Sequence, residues 1–203
     1  MFKDRTDAGN ALALKLKKYK GKDGVILAIP RGGVPVAAVL ARELGMPMEV
    51  LLSKKIGHPL NPEYAIGAVS LEDRVISPHP DVEQEYIEKE TVRIRKKLAE
   101  HYQRFMGDKR PISLHDKIVI IVDDGIATGN TLLSTLPMIR KQRPKKIIIA
   151  VPVSPSGAVL RLSRSVNEMV VALIPDAFYG VGGFYVDFRQ VSDEEVVGYM
   201  TGQ

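Results

Sequence analysis

The chain has 203 residues, 45% apolar and 26% charged, which suits a folded globular protein long enough to bury one substantial core. It has no cysteine, which excludes disulfides, thiolate nucleophiles and cysteine-ligated metals, and its apolar runs are strand-sized, so no membrane span or signal peptide is expected and the cytoplasm is the default compartment. A net charge of +5 suits an anionic partner, either a nucleic acid or a phosphorylated small molecule.

Ala8, Leu12, Leu14 and Leu16 predict a first helix over about Thr6 to Lys18, capped by Thr6 or Asp7 and broken by Gly21 to Gly24. Val25 to Ile29 is a continuous apolar run of the kind buried on both faces of a parallel sheet, and it stops at Pro30-Arg31-Gly32-Gly33. Helical spacing resumes at Val34, Ala37, Ala38 and Ala41 and is closed by Gly45 and Pro47. A strand over Glu49 to Leu52 follows. Ser53 to Tyr64, holding Lys54, Lys55, Gly57, Pro59 and Pro62, is expected to be a mobile loop.

Ala65 to Ser70 and Arg74 to Ser77 predict a short antiparallel pair, and a long helix should run from about Asp81 to Met106 with Ile87, Ile94, Leu98 and Phe105 as its buried stripe. Its charges pair at four-residue spacing, Glu85 with Lys89 and Glu100 with Arg104, as on a solvated face rather than a nucleic-acid surface. Next come a strand over Lys117 to Val122, a helix with Leu132, Leu133, Leu136 and Ile139 that Pro137 should kink or shorten, and a strand over Lys145 to Val153. A short helix near Ser156 to Ser165, a strand over Glu168 to Ile174 and a last helix capped by Ser192 or Asp193 complete the chain. Alternating strands and helices predict an α/β fold, a mostly parallel, Rossmann-like sheet flanked by helices, in one domain over residues 1–203. Pro175 to Val191 would be a small elaboration on it, carrying five of the twelve aromatics: Phe178, Tyr179, Phe184, Tyr185 and Phe188.

In such a sheet, ligands collect beyond the carboxyl ends of the strands. Asp123 and Asp124 stand at one such end, and two carboxylates can accept hydrogen bonds from a vicinal diol or assist a metal. Gly125, Ala127, Thr128, Gly129, Asn130 and Thr131 follow, offering backbone amides, hydroxyls and a helix amino end to a phosphate. The spacing describes a ribose 5-phosphate. A receiver domain or phosphohydrolase also carries an acidic pair after a strand, but leaves the Pro30 loop without a purpose; a Walker A loop requires a Gly-Lys-Ser/Thr that is missing. His58, His79, His101 and His115 lack ligand spacing.

Ile120 to Thr131 resembles the phosphoribosyl pyrophosphate motif of type I phosphoribosyltransferases without gaps. The resemblance implies that Asp123 and Asp124 meet the ribose hydroxyls and that Ala127 to Thr131 bind the 5-phosphate. It extends to Pro30-Arg31-Gly32-Gly33, similar to the family's diphosphate loop with its often cis peptide, in which Arg31, Gly32 and Gly33 meet the diphosphate. Lys54 and Lys55 would begin the closing loop, one of them reaching the diphosphate. The whole chain, from Phe2-Lys3-Asp4-Arg5 to the Asp187–Val196 segment, also resembles an uncharacterised branch of predicted phosphoribosyltransferases.

By the same resemblance, residues 175–191 form a hood in which Phe184 and Tyr185, with Phe178, Tyr179 and Phe188, are candidates to stack on a base. The hood is similar to that of the purine 6-oxo enzymes, which implies that Asp187 assists Mg2+ and Arg189 meets diphosphate. Asp123 and Asp124 would reach the same ion through ribose, diphosphate or water. No lysine near Val151 to Ser154 matches the one that reads the 6-oxo group. The implied reaction is Mg-dependent transfer of a phosphoribosyl group to a nitrogen nucleophile, with Asp123, Asp124 and Arg31 as catalytic residues and an unidentified base as acceptor. The family also accommodates a homodimer. The rival reading is a non-catalytic sensor of phosphoribosyl pyrophosphate, with the net positive charge leaving RNA binding open.

Overall fold

The computed structural model describes residues 1–202. Its central sheet is five parallel strands in the order β2-β1-β6-β7-β8, where β1 is Gly24–Ala28, β2 Met48–Val50, β6 Ile118–Val122, β7 Lys146–Val153 and β8 Glu168–Leu173. The apolar runs become strands because both faces are covered: Ile26, Ala28, Ile120, Val122, Ile148 and Ala150 pack on one side, and Val25, Leu27, Val119, Ile121, Ile147 and Ile149 on the other. Helices α1 (Arg5–Leu16), α2 (Gly33–Leu44), α3 (Gln84–Met106) and α6 (Asp193–Thr201) contribute to the first face; α4 (Asn130–Lys141) and α5 (Ser156–Ser163) cover the second.

Several local expectations change. The cap of α1 is Asp4, whose side chain accepts the Asp7 amide at 2.8 Å, not Thr6 or Asp7. Leu14 is 64% exposed; the buried face of α1 is Ala8, Gly9, Leu12, Ala13 and Leu16, where Gly9 lets the helix close on Val39 of α2. The helix α3 begins at Gln84 rather than Asp81, whose carboxylate instead meets His58 Nε2 at 2.9 Å. Glu85 does pair with Lys89, but Arg104 leaves Glu100 for Asp193 and Glu194 at 2.5 and 2.9 Å, tying α3 to α6. Pro137 does not shorten α4, which runs on to Lys141. Gly45 ends α2 in the left-handed region at φ 68°, and Ser192 caps α6 reciprocally with Glu195, as the sequence predicts.

The largest departure is residues 53–64. In place of a loop, β3 (Ser53–His58) and β4 (Asn61–Ser70) form a hairpin, joined by β5 (Arg74–Ile76) into a separate antiparallel sheet in the order β3-β4-β5. Ile56 and Ile66 anchor it in the core, and Ser53 Oγ lies 2.7 Å from Thr135 Oγ1 of α4.

Candidate functional site

After β1 the chain steps outward to β2; it later returns to the other side of β1 to lay down β6. That reversal opens a crevice between the carboxyl ends of β1 and β6, the place where open α/β sheets bind ligands. The register Ala28↔Val122 brings Pro30-Arg31-Gly32-Gly33 and Asp123-Asp124 side by side although about ninety residues separate them.

Their contact is intimate. A Cβ on Gly32 would stand 2.0 Å from Asp124 Oδ2, and one on Gly33 would stand 2.6 Å from the Val122 carbonyl and 2.8 Å from Asp123 Cα. Backbone closes the position at Gly33 to any side chain, whereas a side chain at Gly32 would have to displace the Asp124 carboxylate. The peptide joining Pro30 to Arg31 is cis.

Asp123 Oδ1 accepts the Asp124 amide at 2.8 Å. Asp124 Oδ2 receives Nε and Nη2 of Arg5 at 2.9 and 2.8 Å, with both side chains largely buried. Burial pushes both carboxyls above the usual carboxylate range; the charge of Asp124 reinforces the rise for Asp123, while Arg5 opposes it for Asp124.

Beyond the pair, Ala127, Thr128, Asn130 and Thr131 are exposed around the amino end of α4. Gly129 holds φ 72°, and a Cβ there would meet Leu162 Cδ1 at 2.7 Å, so both conformation and packing require glycine. Gly125 is closed over by Val181 of the hood.

Arg31 faces a cleft of about 680 Å³ that is also lined by Lys54, Lys97, His101, Thr131 and Asp193. Its Nη1 lies 3.3 Å from Asp193 Oδ1. The neighbouring lysines separate: Lys54 lines this cleft, whereas Lys55 Nζ pairs with Glu63 across the hairpin, 2.9 Å from its carboxylate and 3.0 Å from its carbonyl.

The hood residues are engaged mostly with the protein itself. Tyr185 is buried, donates its hydroxyl to the Asp124 carbonyl at 2.6 Å, and packs its ring against Phe2 and Phe188 with centroids 5.5 and 4.9 Å apart. It is therefore a strut under the acidic pair, not an exposed base platform. Phe184 stacks on Phe178 at 5.6 Å, and Tyr179 is fully exposed. Arg189 pairs with Glu195 at 2.6 and 2.9 Å, and Asp187 Oδ1 accepts the Arg189 amide at 3.0 Å. Both line a smaller surface cleft with Arg5 and Glu195, distinct from the one faced by Arg31.

Arg5 has no role in the sequence reading. A guanidinium that reaches a carboxylate 119 residues away leaves no local pattern; only its place in the Phe2-Lys3-Asp4-Arg5 stretch pointed toward it. Lys97 and His101 of α3 and Asp193 of α6 line the Arg31 cleft, a placement that no local pattern records.

A phosphoribosyl transferase domain model matches residues 3–189. The crystal structure of TT1426 from Thermus thermophilus is similar across 99% of this chain and 98% of that one, at 37% identity and a TM-score of 0.87. A curated protein of Mycobacterium tuberculosis, named "Putative phosphoribosyl transferase", is 38% identical over 98% of this chain. The match covers 46% of that relative, so the chain spans about half its length. A ribose-phosphate pyrophosphokinase of Pyrococcus furiosus matches over 62 residues at 39% identity, covering 30% of this chain and 22% of that protein. Among the described residues no helix is long and apolar enough to cross a membrane.

Proposed function

The chain belongs to the phosphoribosyl transferase domain family, and on that premise we propose that it transfers a phosphoribosyl group from phosphoribosyl pyrophosphate to a nitrogen base or related nucleophile, releasing pyrophosphate. The observation that carries this reading is the contact of Gly32 with Asp124, which brings Pro30 to Gly33 and the Asp123-Asp124 pair into one crevice, as a shared site for diphosphate and ribose requires. A donor spanning the crevice would set its 5-phosphate on Ala127 to Thr131, its hydroxyls on Asp123 and Asp124, and its diphosphate toward Gly32, Gly33, Arg31 and Lys54.

In the reaction the bond from ribose C1 to the diphosphate oxygen breaks with its electron pair leaving on diphosphate, while the nucleophile's nitrogen bonds to C1 and then sheds its proton. Arg31 and Lys54 meet the growing charge on the leaving group, and the carboxylates lie where the ribose gains positive character. Asp123 and Asp124, both raised by burial, are the carboxylates available to take the proton.

Mg2+ would neutralise the diphosphate when bound. Asp123 and Asp124 would meet it through ribose, diphosphate or water, whereas Asp187 lines the separate cleft with Arg5 and Arg189. Among the described residues no three His, Asp or Glu side chains converge on a metal position, so the ion would take most of its oxygens from ligand and water, a common arrangement for Mg2+.

The acceptor faces the hood, where Phe178, Phe184 and Val181 offer apolar surface. Titration calorimetry with phosphoribosyl pyrophosphate, followed by pyrophosphate release against a panel of purines, pyrimidines and other nitrogen bases, tests the reading. Binding plus release with at least one base is expected. Binding with no release would favour the sensor, and a chain that does not bind the donor refutes both.

A further inference from the structure

The acidic pair is held from behind by a residue that the ribose and diphosphate motifs do not include. Arg5, first residue of α1, directs two N–H groups at a single oxygen, Asp124 Oδ2, at 2.8 and 2.9 Å. The same oxygen lies against Gly32, so it is wedged between a guanidinium and the diphosphate loop. Arg5 is itself fixed from two more directions: Nη1 donates to the Arg189 carbonyl at 2.8 Å, and the guanidinium carbon sits 4.1 Å over the Phe188 ring. Its backbone is equally constrained. The Phe2 amide donates to the Phe184 carbonyl at 2.8 Å, Val186 donates to Phe2 at 2.9 Å, and Asp187 donates to Lys3 at 2.9 Å. The chain's first residues are thus stitched into the hood, and the hood's Tyr185 holds the Asp124 carbonyl.

Such convergence exceeds what charge neutralisation needs. One contact would satisfy a carboxylate at a strand end, whereas three independent anchors on the guanidinium fix its position as well as its charge. Building on the phosphoribosyl pyrophosphate reading, we propose that Arg5 is a positioning residue: it locks Oδ2 of Asp124 so that Oδ1 is presented to the ribose hydroxyls. Residues 2–5 are then part of the donor site. Recognition of the ribose depends on a contact between the amino-terminal segment and the hood, while recognition of the diphosphate does not.

Titration calorimetry with two probes separates these contributions. Phosphoribosyl pyrophosphate and inorganic pyrophosphate are titrated into the wild type, Arg5→Gln, Arg5→Lys, Asp124→Asn and the Arg5→Gln/Asp124→Asn double variant. Arg5→Gln should weaken phosphoribosyl pyrophosphate by roughly tenfold or more, the scale of one charge-assisted hydrogen bond to a ligand, and leave pyrophosphate affinity unchanged. Unchanged pyrophosphate affinity also certifies that the variant is folded. Arg5→Lys, which keeps the charge but not the forked geometry, should recover part of the loss. Asp124→Asn should add little in the Arg5→Gln background, because both changes remove the same contact. A wild type that binds phosphoribosyl pyrophosphate alongside an Arg5→Gln variant that binds it equally well overturns the role of Arg5 alone. So do losses from Arg5→Gln and Asp124→Asn that multiply. A wild type that fails to bind phosphoribosyl pyrophosphate overturns the underlying reading instead.

Discussion

Gly32→Ala puts a methyl group where Asp124 already stands. The backbone at Gly32 has φ −60°, which alanine adopts freely, so the effect is steric alone. The new Cβ would lie 2.0 Å from Asp124 Oδ2 and 2.6 Å from Cγ, against a closest tolerated approach near 3.0 Å. The carboxylate must therefore retreat by about 1 Å, enough to break its 2.8 and 2.9 Å contacts with Arg5. A displacement of that size in a positioned group costs turnover roughly a hundredfold. The overpacking itself should cost about 2 kcal/mol, lowering Tm by roughly 4 to 8 °C for a chain of this size. Gly33→Ala makes the contrast, since its Cβ would strike the Val122 carbonyl and Asp123 Cα, backbone atoms that cannot swing aside. It should therefore destabilise more than Gly32→Ala. Donor titration and thermal melts on both variants decide the matter: Gly32→Ala binding phosphoribosyl pyrophosphate within about twofold of wild type, roughly 0.4 kcal/mol, would refute the reasoning.

Asp124→Asn should keep the fold but lower turnover by at least tenfold with any accepted base, and melts should show some loss of stability because Arg5 is left partly buried without its counter-charge. Lys54→Ala and Arg31→Ala should each weaken pyrophosphate binding in calorimetry, whereas Lys55→Ala should not, because it removes only a solvent-screened surface pair with Glu63. At the other end of the sheet, burial pushes Glu168 up, but hydrogen bonds from Lys18, Tyr19 and Lys146 outweigh it and hold its carboxyl at about 2. A depressed acid stabilises the fold fully above its unfolded pKa and loses that contribution as pH falls through the folded value. Acid titration followed by circular dichroism should accordingly show a decline from the ordinary carboxylate range toward about pH 2 that Glu168→Gln flattens.

Where covalent neighbours determine the outcome, the sequence was a good guide. Continuous apolar runs become β1, β6 and β7 because each needs only burial on two faces, and Gly45 and Ser192 act through their own backbone geometry. The hairpin over residues 53–64 was misread because its strands are mostly polar, with Ile56 alone giving an apolar anchor in β3; its strand character comes from pairing, which no local pattern records. The same holds for the site. Asp123, Asp124 and the glycines were legible as motifs, but the division of labour between Lys54 and Lys55, the inward turn of Tyr185 and the reach of Arg5 are set by contacts across 8, 61 and 119 residues.

The stitching of residues 2–5 into the hood also governs when the site can come into being. Arg5 and Arg189 touch across 184 residues, a closure of very high contact order. At synthesis rates of about 5–20 residues per second, Arg5 waits roughly 10 to 40 s for Phe188 and the Arg189 carbonyl to follow it out of the ribosome. All five strands of the central sheet precede Arg189 in the chain and can pair during that interval, so Asp124 acquires its anchored guanidinium only after the sheet that carries it can form.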